Sequence, residues 1–312
     1  MSIKTIIRAT GAYLPETIVT NADLEKRVDT NDEWIVQRTG IRERRIAKAD
    51  ETTGSMAIRA GQQALERAGL QGADIDTVIV ATTTPDKKFP AVAVNVQQAL
   101  GIPPGPAFDV QAVCTGFIYA LTVADSFIKT GTSKRVLVIG AEKMSSIVDW
   151  SDRTTCVLFA DGAGAVIVEA SEEKDGRGII STHLYADGRQ QDMLYADPNI
   201  IMQGRDVFKY AVQYMANVVE EVLEENNLKP EDIDLLIPHQ ANIRIIEATA
   251  KKLDMPMDKV VTTVDRHGNT SAASIPLALH EAYIGGRVKK GDLLLLEGMG
   301  GGFTWGAVLV RA

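Results

Sequence analysis

The sequence predicts an α/β protein built from two similar halves, in which helices cover both faces of mostly parallel sheets. The first reason is an internal repeat: residues 65–79, LERAGLQGADIDTVI, align without gaps on residues 223–237, LEENNLKPEDIDLLI, at an offset of 158. The second is another pair of similar segments, GAVIVEA ending at Ala170 and GAVLVRA ending at Ala312, at an offset of 142. The third is a set of continuous Val, Ile and Leu runs, which are typical of strands buried on both faces.

The repeat also predicts where the halves differ. The two offsets differ by 16, so the first half should carry about 16 additional residues between about 141 and 163. Strands are predicted at TVIVATT, RVLVIGA and GAVIVEA in the first half, and at LLIPH, LLLLEGM and GAVLVRA in the second. We expect an N-terminal half over 1–170 and a C-terminal half over 171–312, packed as one body.

Composition excludes several classes of protein. The 312 residues are 45% hydrophobic and 24% charged, as in ordinary globular proteins. Two cysteines and four unclustered histidines predict neither a disulfide scaffold nor a metal site. A net charge of −8 argues against a nucleic-acid surface. Since no apolar run reaches ~18–20 residues and the N-terminus lacks a signal-peptide core, the sequence predicts a soluble cytoplasmic protein without a membrane partner.

Cys114 lies where a strand-like run, AFDV, gives way to the apolar helix GFIYALTVADSF. One interpretation is a small buried hydrophobe, which is the usual state of a free cysteine. The other is a thiolate nucleophile, whose pKa the helix N-terminus lowers and which Gly116 leaves accessible to a thioester. The residues alone leave both open. Cys156, in the strand-like run TTCVLF, is predicted to be core.

Polar residues recur at the equivalent places of the second half. His239 follows the apolar run LLIP, and Asn269 precedes a second apolar helix, where the offset places Ala272 opposite Cys114. A pseudo-twofold axis between the halves would bring Cys114, His239 and Asn269 into one pocket. A buried histidine and a turn or N-cap asparagine are the alternatives, and His267 competes with Asn269. The segment 297–306, EGMGGGFTWG, is either a tight turn or a source of oxyanion-binding N–H groups.

Six segments together resemble the β-ketoacyl-acyl-carrier-protein synthase III family of the thiolase superfamily. They are NDEWIVQRTGIRERR, DVQAVCTGF, DGAGAVIVEA, PHQANIRI, RHGNTSAASIP and GMGGGFTWG, and the resemblance runs from about Ile3 to Ala312. It implies a thiolase-like five-layer αβαβα fold, a homodimer, and a catalytic trio of Cys114, His239 and Asn269. It implies no metal and no permanently bound cofactor, since coenzyme A enters as a thioester substrate.

The resemblance also implies the reaction. Cys114 would take an acyl group from an acyl-CoA primer, with acetyl-CoA expected, and malonyl-acyl-carrier protein would then lose carbon dioxide and attack the thioester. This step initiates type II fatty acid synthesis. His239 and Asn269 would donate hydrogen bonds to the malonyl thioester oxygen, and the N–H groups of Cys114 and Gly301 would form the oxyanion hole.

Binding residues carried over from the family fall into three groups. The coenzyme A group, in which Trp34 and Arg38 match the adenine-binding pair, is Trp34, Arg38, Arg153, Phe208 and Asn242. The acyl-pocket group is Met299, where the family usually has phenylalanine, and Phe89, which would close the pocket of the partner subunit. The carrier-protein group is Lys209, Gln240, Ala241, Asn242, Ile243, Arg244, Lys251 and Lys252.

The same segments distinguish this sequence from related classes of thiolase-fold protein. Elongating synthases carry Cys–His–His and degradative thiolases carry a second catalytic cysteine, and this sequence has neither feature. A thiolase-fold acyltransferase or specialised-metabolite synthase is the alternative enzyme. A non-catalytic acyl-CoA-binding paralogue would be expected to lose one of Cys114, His239 and Asn269, and all three are present. Met299 and the unmatched segment ADGRQQDMLYADPNIIMQG leave the primer open.

Overall fold

The computed structural model describes residues 3–173 and 175–312. In these ranges the strands are β1 (Lys4–Tyr13), β2 (Thr17–Thr20), β3 (Glu43–Ile46), β4 (Thr77–Ala81), β5 (Ala107–Val110), β6 (Arg135–Lys143), β7 (Asp161–Ser171), β8 (Gly178–Ala186), β9 (Leu194–Ala196), β10 (Ile200–Met202), β11 (Leu235–Pro238), β12 (Leu293–Gly300) and β13 (Thr304–Arg311). The helices are α1 (Asn21–Leu24), α2 (Asp32–Thr39), α3 (Thr53–Ala68), α4 (Val92–Ala99), α5 (Gly116–Lys129), α6 (Gly204–Glu225), α7 (Ile243–Lys252), α8 (Val264–His267) and α9 (Ser274–Ile284).

Two large sheets form the frame of the molecule. The first has the order β1-β7-β6-β4-β5, with β4 parallel to both β5 and β6. The second has the order β11-β12-β13-β8, with β11 parallel to β12 and antiparallel pairs beyond. Each of the six runs predicted as strands lies in one of these sheets. Every residue of β4 and of β11 is buried, as the continuous apolar runs require.

Helices occupy three layers around the two sheets. On the outside, α3 packs on β1, β6 and β7, while α6 packs on β8, β12 and β13. Between the sheets lie α5 and α9, each in contact with strands of both. The apolar face of α5 therefore extends almost all round, since Phe117, Ile118, Leu121, Ala124 and Ile128 are all buried. The five-layer αβαβα prediction is confirmed.

The repeat offset of 158 reappears in the structure. It relates β4 to β11 and α5 to α9, and it relates the turn Val113–Thr115 to the turn Ser271–Ala273. Val113 and Ser271 share an unusual positive φ of 48°. The additional residues of the first half lie between β6 and β7, where seventeen residues (144–160) stand against three (301–303) between β12 and β13. The division at residue 170 stays a prediction.

One local prediction is wrong. The run around Cys156 lies in turns and not in a strand, because this additional segment has no neighbouring strand along most of its length. Only Phe159 pairs, in an isolated bridge with Asn269. Cys156 is nevertheless buried in the hydrophobic core, as expected. Among the described residues, none of the helices combines the length and the apolar character needed to cross a bilayer.

Candidate active site

Cys114 lies in the turn that leads directly into α5, between the two sheets. The hairpin joining β12 and β13 packs against it: Thr115 Oγ1 donates to the Thr304 carbonyl oxygen at 2.9 Å. A Cβ atom on Gly300 would lie 2.7 Å from the Cys114 backbone nitrogen. Only glycine permits this approach, so the glycine-rich segment is held beside the nucleophile candidate.

The thiol pKa differs from the sequence prediction. Cys114 is at a helix N-terminus as expected, yet burial raises the pKa of its thiol to about 12, a net value in which a hydrogen bond from Ser271 lowers the pKa and the nearby Glu142 carboxylate raises it. Only 5% of the residue is exposed. Desolvation of the thiolate therefore outweighs the helix dipole, and Cys114 rests as a neutral thiol.

His239 begins the loop after β11 and is held by two neighbouring elements. Its backbone N–H donates to the Glu297 carbonyl oxygen at 2.8 Å, and its Nδ1 lies 2.6 Å from Ser274 Oγ at the start of α9. Burial lowers the pKa of His239 to about 3, so the ring is neutral. Because Ser274 Oγ already accepts from the Gln240 N–H at 3.3 Å, its hydroxyl hydrogen is available to Nδ1. This arrangement favours the tautomer with the proton on Nε2.

Asn269 is fixed through its backbone and its side-chain oxygen. Its N–H donates to the Leu158 carbonyl oxygen, and its own carbonyl oxygen accepts from the Ala160 N–H, both at 2.9 Å. Its Oδ1 accepts from the Ser271 N–H at 2.9 Å. Since Oδ1 is engaged within the loop, Nδ2 is the group that remains to serve the cleft as a donor.

These three side chains line one cleft. The cleft walls come from the hairpin, α6, α7 and the additional segment of the first half; the lining residues are Cys114, Leu158, Phe159, Leu194, Met202, Gly204, Val207, Phe208, Ala211, Met215, His239, Ala241, Asn242, Ile245, Asn269, Met299 and Gly300. A thiol, a neutral imidazole and a side-chain amide thus line the same mostly apolar cavity. Imidazole and amide N–H donors stabilise negative charge that develops on a bound oxygen.

A buried carboxylate under this trio was missed by the sequence analysis. Glu142 ends the apolar run of β6, and its oxygens accept hydrogen bonds from Thr82, Thr83 and Thr84. Ser271 Oγ donates to the Glu142 Oε1 atom at 3.1 Å, and the same hydroxyl contacts the Cys114 thiol. Burial raises the pKa of Glu142 above its ordinary value. Glu142 follows an apolar run, as His239 does, so the same sequence pattern could have identified it.

A second cavity lies on the other side of the thiol. Its lining residues are Thr83, Gln111, Val113, Cys114, Met144, Ile147, Phe159, Leu194, Tyr195, Ala196, Pro198 and Ile200. Met299 does not line this cavity but the main cleft, in an apolar cluster with Met215 and Phe303. Phe89 lines neither cavity of its own chain and is 83% exposed. The predicted acyl-pocket residues are therefore not neighbours within one chain.

Four of the five predicted coenzyme A residues line the mouth of the cleft. Trp34, Arg38, Phe208 and Asn242 line it, together with Arg205, Arg244 and others, and it shares Leu158, Met202, Gly204, Phe208 and Asn242 with the main cleft. Arg153 does not line the mouth, but its guanidinium lies over the Trp34 ring, 5.3 Å from the centroid. The structure thus places Arg153 over the indole, while Arg38, one turn after Trp34 on the same face of α2, lines the mouth beside it.

The predicted carrier-protein group divides by exposure. Gln240 is 1% exposed, and its side-chain amide bonds the backbone of Pro238, Val261 and Thr263. It cannot contact a carrier protein, so this prediction is wrong: the amide serves to join β11 to the loop before α8. The exposed members are Lys209, Arg244, Lys251 and Lys252, with Ala241, Asn242 and Ile243 half-buried beside them.

The two glycines at the hairpin between β12 and β13 differ in their position relative to Cys114. Gly300 lines the cleft beside Cys114, whereas a Cβ atom on Gly301 would meet the Leu194 carbonyl oxygen at 2.8 Å. Gly301, in the hairpin turn, therefore packs against β9. Its role as an N–H donor stays a prediction.

Comparison with known proteins agrees with the fold and the cleft. A family model described as 3-Oxoacyl-[acyl-carrier-protein (ACP)] synthase III matches residues 108–188, and its C-terminal counterpart matches residues 223–312. The chain is 58% identical to the beta-ketoacyl-[acyl-carrier-protein] synthase III of Paramagnetospirillum magneticum, with 100% of both chains covered.

Solved structures are similar over the whole chain. The crystal structure of 3-oxoacyl-[acyl-carrier-protein] synthase III from Aquifex aeolicus superposes with a TM-score of 0.96 at 55% identity, covering 99% of this chain and 100% of that one. The priming beta-ketosynthase of the R1128 polyketide pathway has a TM-score of 0.93 at 34% identity, covering 99% and 97%. From the two family models and these full-length similarities, we conclude that the chain belongs to the β-ketoacyl-[acyl-carrier-protein] synthase III family of thiolase-fold proteins.

Proposed function

We propose that this protein is an acyltransferase that condenses an acyl-CoA primer with malonyl-acyl-carrier protein and so initiates fatty acid synthesis. The observation that carries the proposal is the convergence of Cys114, His239 and Asn269 on one buried cleft. The mouth of that cleft, with Trp34 and three arginines, suits a nucleotide bearing phosphates. The proposed setting is the cytoplasm, where both free cysteines would stay reduced.

In the first half-reaction, Cys114 Sγ bonds to the acyl carbon as the bond from that carbon to the coenzyme A sulfur breaks. The thiol proton leaves Cys114 and ends on the coenzyme A thiolate, so charge is balanced. Because the resting thiol is neutral and buried, the proton has to move as the bond forms. Two polar groups act on this thiol: the Ser271 hydroxyl, whose hydrogen bond lowers the thiol pKa, and the buried Glu142 carboxylate that accepts from Ser271 and raises it.

In the second half-reaction, the malonyl group loses carbon dioxide and leaves an enolate on its thioester. His239 Nε2–H and Asn269 Nδ2–H donate to the enolate oxygen, and the neutral state of His239 makes it a donor without a charge change. The enolate carbon attacks the acyl carbon, whose oxygen is held by the N–H groups of Cys114 and Gly301. Cys114 leaves as thiolate and takes up one proton from solvent, which balances the negative charge that the malonyl carboxylate brought in.

The proposal is tested by supplying acetyl-CoA and malonyl-acyl-carrier protein together and measuring the carrier protein by intact mass spectrometry. We expect the 3-oxobutanoyl adduct, and no product when either substrate is omitted. Butyryl-, isobutyryl- and octanoyl-CoA in the same assay rank the primers. Absence of a condensation product from every primer would contradict the proposal.

Primer choice also distinguishes the proposed function from the alternative, a specialised-metabolite synthase. The priming ketosynthase of a polyketide pathway is similar to this chain at 34% identity, against 58% for the fatty acid relative. A specialised-metabolite synthase would prefer a longer or branched primer, whereas the initiating enzyme should prefer acetyl-CoA. The cavity lined by Met144, Ile147 and Ile200 adjoins the thiol and is the proposed site of the primer chain.

We further propose a homodimer. Phe89 is a large apolar side chain with 83% of its surface exposed, and the resemblance matches it to a residue that contacts the partner subunit. Burial against a second copy would remove that surface from water and close the primer cavity of the other subunit.

The exposed Lys209, Arg244, Lys251 and Lys252 form the proposed contact for an acidic carrier protein.

Removing the Trp34 ring should weaken acyl-CoA binding more than it slows turnover. In Trp34→Ala we expect the KM for acetyl-CoA to rise roughly tenfold, since stacking of a base on an aromatic ring contributes about 1–3 kcal/mol. The kcat should change little, because the mouth lies away from the thiol. Steady-state kinetics at varied acetyl-CoA measure both.

A matched control exists for this variant. Trp150 also has an arginine over its ring, with Arg27 at 5.4 Å, but it does not line the mouth. Trp150→Ala should leave the KM near the wild-type value. An equal rise in KM for both variants would show that the effect comes from general loosening of the fold.

The Ser274 hydroxyl is expected to matter for condensation and not for acylation. Ser274→Ala removes the partner of His239 Nδ1, so the Nε2–H tautomer is no longer favoured. Loss of one such hydrogen bond corresponds to roughly a three- to tenfold fall in condensation rate. Rapid-quench measurement of acyl-Cys114 formation is the internal control, and a parallel fall in that rate would contradict the assignment.

A further inference from the structure

The C-terminal half of α6 is joined to the edge strand β8 by a polar seam remote from the cleft. Asn226 Nδ2 donates to Ser181 Oγ at 3.0 Å, and the Tyr185 hydroxyl donates to Glu221. Between them, His183 Nδ1 lies 3.3 Å from Glu221 Oε1. The alternation of β8 points residues 181, 183 and 185 to the same face, which explains the seam.

The α6 side of this seam carries several negative charges with few positive charges nearby. Glu220, Glu221, Glu224 and Glu225 fall within six residues at the C-terminal end of α6, and the last turn contains no basic residue. Negative charge there opposes the helix dipole. Among described residues, the ion pairs within 4.0 Å of Glu221 and Glu225 involve only His183.

His183 contributes a second, independent feature. The residue is 6% exposed, and its Nε2 atom is buried without a hydrogen-bond partner among the described residues. That atom lies 3.8 Å from Glu225 Oε2, so it is directed at the carboxylate without bonding it. A buried ring nitrogen left in this state is costly unless a ligand completes it.

From this geometry we propose that His183 Nε2 and Glu225 bind a divalent transition-metal cation, best matched by Zn²⁺, while Glu221 accepts from the Nδ1–H on the other side of the ring and fixes its orientation. One nitrogen or oxygen atom of each of His183, Glu221 and Glu225 lies within 4.8 Å of the others. Tetrahedral zinc places its nitrogen and oxygen ligands about 3.4 Å apart, so Nε2 and Oε2 need to approach by only a few tenths of an ångström. The Glu225 side chain, 61% exposed, is free to make that movement.

The donor set selects the class of metal. An imidazole nitrogen with a carboxylate suits zinc and its neighbours, whereas magnesium and calcium prefer oxygen ligands alone. The Tyr185 hydroxyl, which donates to Glu221, orients that carboxylate as an outer-sphere group does in metal sites. Sequence spacing could not reveal the site, since β8 supplies His183 whereas Glu225 comes from α6, a different element far along the chain.

The bound cation would fasten α6 to β8. The first half of the same helix supplies Val207, Phe208, Ala211 and Met215 to the cleft. The proposed role is structural: the cation holds the wall of the cleft in place and takes no part in the chemistry.

The test is calorimetric titration of ZnCl₂ into the full chain after treatment with a chelator, with thermal melts in parallel. We expect one equivalent bound and a rise in Tm, because a ligand that binds the folded state stabilises it. In Glu225→Gln we expect at least a tenfold weaker affinity and loss of the Tm rise. Glu224→Gln, which makes the same charge change one residue away, should bind like the wild type.

Further variants separate zinc bound at this seam from zinc bound elsewhere on the chain. His183→Gln removes the nitrogen ligand and should behave as Glu225→Gln does, while Cys114→Ala should retain the bound equivalent because the thiol is not a ligand. MgCl₂ should give no comparable heat at the same concentration. Equal zinc affinity in Glu224→Gln and Glu225→Gln, or loss of binding in Cys114→Ala, would overturn the proposal.

Discussion

Replacing Cys114 with alanine is expected to abolish the covalent acyl-enzyme and to lower condensation by at least about 10³-fold. No other described side chain in the cleft can take the place of the nucleophile, since the one other cysteine, Cys156, lies in the core and lines neither the cleft nor the second cavity. Intact-protein mass spectrometry after brief incubation with acetyl-CoA measures the adduct directly.

The buried position of the thiol also predicts how the rate of acylation depends on pH. Because burial raises the pKa of Cys114 to about 12, the rate of acylation should show no plateau near pH 8.5, where an ordinary exposed thiol titrates. Cys156→Ala is the matched control, and it should acquire the same acyl mass as the wild type. An adduct that persists in Cys114→Ala would place the nucleophile elsewhere and contradict the proposed function.

Replacing Glu297 with glutamine is expected to stabilise the protein at neutral pH. Glu297 is fully buried on β12, and both carboxylate oxygens lack a hydrogen-bond partner among the described residues. Burial raises its pKa to about 8 from the ordinary value of 4.5. The folded protein therefore keeps the carboxyl neutral up to about pH 8, while the unfolded chain releases the proton above about pH 4.5.

This difference gives the stability a definite pH dependence. Between about pH 4.5 and 8 the folded state binds more protons than the unfolded state, so the free energy of unfolding falls as pH rises. At pH 7.5 the cost reaches up to about 4 kcal/mol, since each unit of pKa difference corresponds to 1.36 kcal/mol. Glu297→Gln removes that cost, so its advantage over the wild type should shrink toward pH 5.

Urea unfolding of both proteins at pH 5 and pH 7.5 measures the effect. Glu142→Gln is an instructive control, because Glu142 is equally buried but accepts hydrogen bonds from three threonines and Ser271. That variant should lose stability, in contrast to Glu297→Gln. A Glu297→Gln protein less stable than the wild type at pH 7.5 would mean that the carboxylate has a function in the fold.

Much of the architecture could be predicted from the sequence because it depends on local patterns. The apolar runs of β4, β6, β7, β11, β12 and β13 identified strands buried on both faces, and the offset of 158 identified equivalent turns around Val113 and Ser271. The position of Cys114 immediately before α5 followed from the same patterns. The resemblance to a known family then indicated which polar side chains to compare.

Other features depended on groups brought together from distant parts of the chain. Gln240 has an apolar strand before it and looks like a loop residue, but its amide is used entirely inside the fold. The indole of Trp34 is covered by Arg153, which is far from it in the sequence. The partners of Glu142 come from the loop after β4 and from the turn before α9.

The sequence by itself determined the two halves, the alternation of strands and helices, and the place of the thiol at the start of a helix. The tertiary structure alone decided that burial raises the pKa of this thiol, that the Ser274 hydroxyl favours the Nε2–H tautomer of His239, and that the Glu297 carboxyl oxygens and His183 Nε2 are buried without hydrogen-bond partners among the described residues. The physical reason is that strand and helix periodicity depends on neighbouring residues, whereas desolvation and hydrogen bonding depend on every group within a few ångströms, from any part of the chain.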